Sequence, residues 1–394
     1  GLIWGMAHAA SGADRLAEVE KLVGEYKSAE KASFEAAWPE KPTNADNIRA
    51  YEAWPGWRFI PKFVELAEAK PDDEAAFRCC QWIIDRRGNM GNWDKRIFDA
   101  DQKVWKILAA HHTEREDLPM LCCQAVQYFG PAQERFLRDL VARTDLSREK
   151  LGFATTALAE LLSHQFDYCE DLEPPDHPSP RDEFAEYRER KKSPDWGKDL
   201  VRANVPKFKA ESIQLFRDVL ANYGDVPITI SAPYFRVHKY LGEKANTSLH
   251  ALEHLTIGSE SPDIAGKDLH EQPLHLRDYR GKVVVISVWF TGCGPCMGMI
   301  PQEKQLIKAY KKRPFALLGV CADESLEHAQ KTAADEKMDW PCWFDGKNGP
   351  ISHDWNVLGF PAIYVLDKTG RIAAKDLRGK ELDAKVAELM EEKN

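Results

Sequence analysis

Cys293 and Cys296 enclose a Gly-Pro dipeptide in the stretch VWFTGCGPC, where a run of β-branched residues ends. Thiols at that spacing form a reversible disulfide, supply half of a zinc site, or anchor a haem. Zinc requires four ligands, and neither a second C-x-x-C nor an H-x-x-x-H is expected to accompany this one. Haem attachment requires histidine directly after the second cysteine, where Met297 stands. Neither a metal nor another cofactor is therefore expected. Two intervening residues let the sulfurs close a disulfide across one helical turn, so the pair can cycle between dithiol and disulfide without refolding.

That chemistry needs a strand before the pair and a helix after it. Residues 283–288 are almost uninterruptedly apolar, the pattern of a central strand covered on both faces. Downstream, Met299, Ile300, Leu306, Ile307 and Tyr310 share one helical face. Both sulfurs then sit at a helix N-terminus, where unpaired N–H groups and the helix dipole favour thiolate over thiol. From about Gly258 the chain alternates short apolar strands with helices, including FALLGVCAD, WPCWFD and AIYVLD. This predicts an α/β domain over 257–394.

Upstream the pattern differs. From Asp14 to about Leu255 apolar residues recur at three- and four-residue steps, with Asp14 as the first cap. FRCCQWII and MLCCQAVQ share a Cys-Cys-Gln core, each after a helix with a similar ending. Helical hairpins stacked on their neighbours have this outline, so 11–256 is expected to be a degenerate array of the tetratricopeptide or HEAT kind. A Pro-rich, charged loop, EPPDHPSPRDEFAEYRERKKSPDWG, interrupts it. The vicinal pairs Cys79-Cys80 and Cys122-Cys123 are expected to pack as small hydrophobes, because adjacent helical residues point about 100° apart and cannot converge on one metal.

The chain has 394 residues and a net charge of −9, which excludes a basic nucleic-acid surface. No run of eighteen apolar residues exists to form a transmembrane segment. Residues 1–10, GLIWGMAHAA, contain Ala7-His8-Ala9 in the small-x-small form of a signal-peptidase site. They are expected to be a signal-peptide remnant of an exported or periplasmic protein, with a cytoplasmic location as the alternative.

The last 135 or so residues resemble the TlpA/ResA-like branch of the thioredoxin fold, exported bacterial thiol-disulfide oxidoreductases. SPDIAGKDLHEQPLHLRDYRGKVVVISVWF is similar to that family's opening hairpin and first core strand, and LGFPAIYVLDKTGRI to its second motif. The resemblance implies that Pro361 is a cis-proline facing the sulfurs and that the Phe360 backbone pairs with an extended substrate. It further implies a substrate-binding place for Trp289, Gly294 and Pro295. Three positions depart from the family. Gly292 replaces a tryptophan, Met299 a glutamate, and Ser287 the aspartate that thioredoxins bury.

The expectation is thus α + α/β: an N-terminal all-α helical-hairpin array, then a thioredoxin-like three-layer α/β domain. The function expected is thiol-disulfide exchange, with Cys293 attacking a substrate disulfide and Cys296 resolving the mixed disulfide. Its partners would be a disulfide-containing protein substrate and an upstream dithiol reductant, with the helical region binding the partner. A peroxiredoxin-like peroxide reductase is disfavoured because P-x-x-x-T-x-x-C does not fit around Cys293. A non-catalytic binding module is disfavoured by the intact Cys-Gly-Pro-Cys. Cys321 and Cys342 are candidates for an auxiliary disulfide, weighed against plain packing. Without the usual carboxylates, resolution is expected to be slow at neutral pH and Met299→Glu to speed it. Glu303, about 10 Å along the helix from Cys296, would need a water relay.

Overall fold

The computed structural model describes residues 11–35, 44–87, 95–127, 130–170, 205–230, 238–357 and 359–392. The signal-like decapeptide and the Pro-rich loop lie outside the described residues. Contacts divide the chain into two compact units.

The first unit is helical: α1 (Gly12–Glu35), α2 (Asn44–Ala53), α3 (Gly56–Ala69), α4 (Glu74–Arg87), α5 (Lys95–His111), α6 (Leu118–Gln127), α7 (Pro131–Val141), α8 (Arg148–Glu170) and the first part of α9 (Val205–Asn222). Asp14 is not the first cap. Ser11 accepts the Asp14 N–H while the Asp14 carboxylate accepts the Ser11 N–H, a reciprocal pair that starts α1 earlier. Aromatic rings fill the space between α1, α3 and α4, with Phe63 stacked on Trp82 at 3.9 Å and Tyr26 edge-on to Trp82 at 4.9 Å. The repeated Cys-Cys-Gln motifs meet through their glutamines, since the Gln81 and Gln124 amides exchange hydrogen bonds of 3.2 and 3.1 Å. Cys79, Cys80, Cys122 and Cys123 are buried. Burial pushes the Cys79 thiol up to about 12, so it packs rather than ionises.

The second unit takes residues 216–228 and the described chain from 238 on, so α10 (Leu241–His254), upstream of residue 257, belongs to it. There follow β1 (Ala265–Lys267), β2 (Pro273–His275), β3 (Val283–Trp289), α11 (Gly294–Ala309), β4 (Phe315–Cys321), α12 (Leu326–Asp335), β5 (Cys342–Phe344), α13 (Pro350–Asp354), β6 (Ala362–Leu366), β7 (Ile372–Lys375) and α14 (Gly379–Glu391). β1 and β2 form the opening hairpin. The main sheet has the order β5-β4-β3-β6-β7, parallel from β5 to β3 and antiparallel from β3 to β7.

Every residue of β3 is buried, because both faces of the sheet are covered. On one face Val283, Val285, Ile363 and Val365 pack against Met299, Ile300 and Leu306 of α11 and Leu382, Val386 and Leu389 of α14. On the other, Val284, Ile286, Val288, Leu318 and Tyr364 pack with Trp343, Trp355 and the end of α10. This is the three-layer thioredoxin-like arrangement. It carries the C-terminal end of β3, and with it Cys293, to the edge of the layers where open α/β sheets present ligand sites.

Candidate active site at the Cys293–Cys296 disulfide

The two cysteines form a disulfide with Cα atoms 5.2 Å apart. Cys293 is the N-cap of α11, Pro295 occupies its first turn, and the Cys293 sulfur accepts the Cys296 N–H at 3.2 Å. A backbone donor aimed at the first sulfur, at the positive end of a sixteen-residue helix, lowers the cost of a thiolate there. The disulfide is shielded, with Cys293 5% and Cys296 4% exposed, whereas Gly294 and Pro295 between them face solvent.

Gly292 explains one departure from the family pattern. Its φ is +86°, in the left-handed region that disfavours a side chain, although nothing within 4 Å would obstruct a Cβ. The backbone, rather than crowding, selects glycine ahead of Cys293. Two threonines and an acid hold the same loop. Asp323 accepts the Thr291 N–H at 2.8 Å and its hydroxyl at 2.6 Å, and the Thr291 and Thr332 hydroxyls meet at 2.8 Å. The loops after β3 and β4 and the flank of α12 are thereby tied together.

Pro361 is buried, and the Phe360–Pro361 peptide is cis. Ala362 pairs with Val288, so Pro361 lies beside the end of β3, from which the disulfide loop departs. Arg378 donates to the Pro361 carbonyl at 2.7 Å. Phe360 is 36% exposed and meets Phe290 edge-to-face at 5.0 Å, leaving an apolar rim. Trp289 does not belong to that rim. It was expected to contact substrate, but β3 alternation turns it inward, where it is 2% exposed and its indole N–H donates to the Cys342 sulfur at 3.3 Å. Gly319 permits this contact, because a Cβ there would lie 2.6 Å from that sulfur.

Cys321 and Cys342 share a buried cluster with Trp289, Cys293 and Cys296, yet both are free thiols. Burial pushes Cys342 up to about 12 and raises Cys321 as well. Such thiols are poor nucleophiles at neutral pH. Thiol counting on the oxidised native chain is expected to find a single disulfide in this unit, mapped to Cys293 and Cys296. A second one mapped to Cys321 and Cys342 would show that they do cycle.

Sequence reasoning passed over Arg378, Asp323 and Phe290, which carry no motif of their own and reach the site only through the fold. Glu303 was noticed only as a carboxylate two turns beyond Cys296. It is 3% exposed, and the Ser287 hydroxyl lies beside its carboxylate. Burial raises its proton affinity, which the Ser287 hydroxyl partly offsets. His250 and His254 do have an H-x-x-x-H spacing, on α10, with rings 4.7 Å apart. Among the described residues no group of three or more His, Cys, Asp or Glu side chains could hold a metal ion.

The redoxin family profile matches residues 256–390. Over 138 residues the chain is 26% identical to thiol-disulfide oxidoreductase ResA of Bacillus thuringiensis subsp. konkukian, covering 35% of this chain and 79% of the relative. It is 32% identical over 117 residues to thioredoxin-like protein YneN of Bacillus subtilis, covering 29% and 68%. Among solved structures, the thioredoxin domain of a thiol-disulfide oxidoreductase from Bacteroides vulgatus aligns at 30% identity and a TM-score of 0.32, over 34% of this chain and 98% of that one.

Proposed function

We propose that this chain, which belongs to the redoxin family of thioredoxin-like thiol-disulfide oxidoreductases, reduces protein disulfides through Cys293 and Cys296. The observation that carries this reading is the Cys296 N–H directed at the Cys293 sulfur at the head of α11. Cys293 thiolate attacks one sulfur of the substrate disulfide and expels the other as a thiolate. Cys296 then attacks Cys293, the Cys293–Cys296 disulfide closes, and the second substrate thiolate leaves. Two electrons pass to the substrate, and an upstream dithiol returns them. The rim of Phe290 and Phe360, with the solvent-facing Gly294 and Pro295, suits an extended polypeptide better than a small polar disulfide.

The Gly-Pro pair between the cysteines favours the reducing direction. Equilibration against glutathione or thioredoxin buffers is expected to give a potential near about −270 mV, the thioredoxin value. A value near about −120 mV, as in strong oxidants, would reverse the direction proposed.

We assign partner binding to the helical unit, which carries a groove of about 340 Å³ lined by Glu74, Arg78, Gln81, Asp85, Arg115 and Gln124, among others. Residues 257–394 are proposed as the redox domain, with α10 packed onto it. An extracytoplasmic location is proposed from Ala7-His8-Ala9 and tested by cell fractionation. Among the described residues no helix is long and apolar enough to cross a membrane.

A further inference from the structure

Glu303 is a carboxylate that the fold alone does not account for. It lies in the core of the C-terminal unit at 3% exposure, and among the described residues no cation pairs with it. Burying such a group is costly by general transfer energetics, whereas a leucine there would pack without that cost. Its place on α11 puts it on the helical face that carries Cys296. Seven residues separate Cys296 from Glu303 on α11, so the two side chains share a face two turns apart. The Cα rise between them is about 10 Å, so water must bridge the carboxylate and the thiol.

Among the described residues, two strands bring groups up to Glu303. From β3 comes the Ser287 hydroxyl, which lies beside its carboxylate. From β5 comes Cys342, whose thiol feels the Glu303 charge and those of Asp268 and Asp323. On the same face of β3, two residues beyond Ser287, Trp289 packs with Cys342 and the disulfide.

We propose that Glu303, beside Ser287, accepts the Cys296 proton through a bridging water when the mixed disulfide is resolved. The proposal rests on the exchange reading above. Cys296 S–H transfers its proton by way of the water to the carboxylate, its thiolate attacks the Cys293 sulfur, and the departing substrate thiolate takes up a proton in turn. The substrate is reduced by two electrons, the cysteine pair is oxidised by two, and Glu303 ends neutral until it releases its proton. The raised proton affinity of Glu303 brings it closer to that of a thiol, which favours such a transfer.

Rapid mixing of the reduced chain with excess chromogenic aromatic disulfide separates the two steps. Attack by Cys293 releases the first equivalent of coloured thiolate, and resolution by Cys296 releases the second. In Glu303→Gln, which keeps the size of the side chain and a partner for Ser287, the first phase should be unchanged. The second should slow at pH 7 on the order of 10²-fold. It should also climb with pH towards the free-thiol value of about 8.5, whereas in wild type it levels off earlier. Ser287→Ala keeps the carboxylate but removes its donor, so the wild-type profile should move to higher pH. Second-phase profiles that coincide in wild type and Glu303→Gln, or one unmoved by Ser287→Ala, would overturn the role given to Glu303. Absence of the first phase in wild type would instead overturn the exchange reading, and the proposal with it.

Discussion

Replacing Cys296 with serine is expected to turn the chain into a trap, holding disulfide-bearing polypeptides on Cys293 as mixed disulfides that survive non-reducing electrophoresis. Cys293→Ser should capture none and should lower turnover on the order of 10³-fold or more, since removing a nucleophile removes the covalent route altogether. The asymmetry follows from the head of α11. Only the Cys293 sulfur accepts a helix N-terminal N–H, so only Cys293 gains the stabilisation that makes a thiolate near neutral pH. The Cys296 thiol lies inside the first turn at 4% exposure, where desolvation opposes ionisation until a mixed disulfide gives it a target. Equal capture by the two variants would refute the assignment of attacking and resolving sulfurs. Capture of small-molecule thiols alone, with no polypeptide, would refute the substrate class.

The parts of this molecule that were legible in its sequence are those written in local patterns. An apolar run followed by Cys-Gly-Pro-Cys and an amphipathic stretch specifies strand, cap and helix, and β3 and α11 form there. The doubled Cys-Cys-Gln motif marked two helices that touch, though not that their glutamines would pair. Facing and depth were not legible. Trp289 was placed on the substrate side because it precedes the cysteines, but the strand period turns it towards Cys342. Gly292 looked like a lost tryptophan and is instead a backbone requirement at φ +86°. The roles of Arg378 and Asp323 depend on long-range pairing that no window of sequence contains. The carboxylates judged missing at Ser287 and Met299 led to an account of slow resolution. The acid beside Ser287 comes instead from the neighbouring helix, as Glu303.

The role proposed for Glu303 changes what Met299→Glu should do. From sequence it restores a family glutamate and speeds turnover at pH 7. In the structure Met299 is buried among Val283, Val285, Ile300 and Leu306, all apolar. Losing a buried methionine removes about 2 kcal/mol of transfer free energy. Leaving a carboxylate without a partner brings the expected loss to about 3–5 kcal/mol. At about 2–4 °C per kcal/mol for a unit of this size, Tm should fall by roughly 10 °C. The sign of its pH dependence is fixed by burial. The folded state holds the introduced proton more tightly than the unfolded state, whose glutamate titrates near about 4.3. Below that pH both states bind the proton and ionisation adds no penalty. As pH rises, the unfolded state loses its proton first, so stability declines until the folded group also ionises. Wild type carries the same slope through Glu303, whose proton affinity burial likewise raises, and Glu303→Gln should remove it. The Tm difference between Met299→Glu and wild type should therefore widen from pH 4 to pH 7, with no gain in turnover. Differential scanning calorimetry across that range, beside a disulfide-reduction assay, checks both. A Met299→Glu chain that melts with wild type at pH 7 and turns over faster would mean that the carboxylate finds water and the thiol from that position, and that Glu303 is not the acceptor.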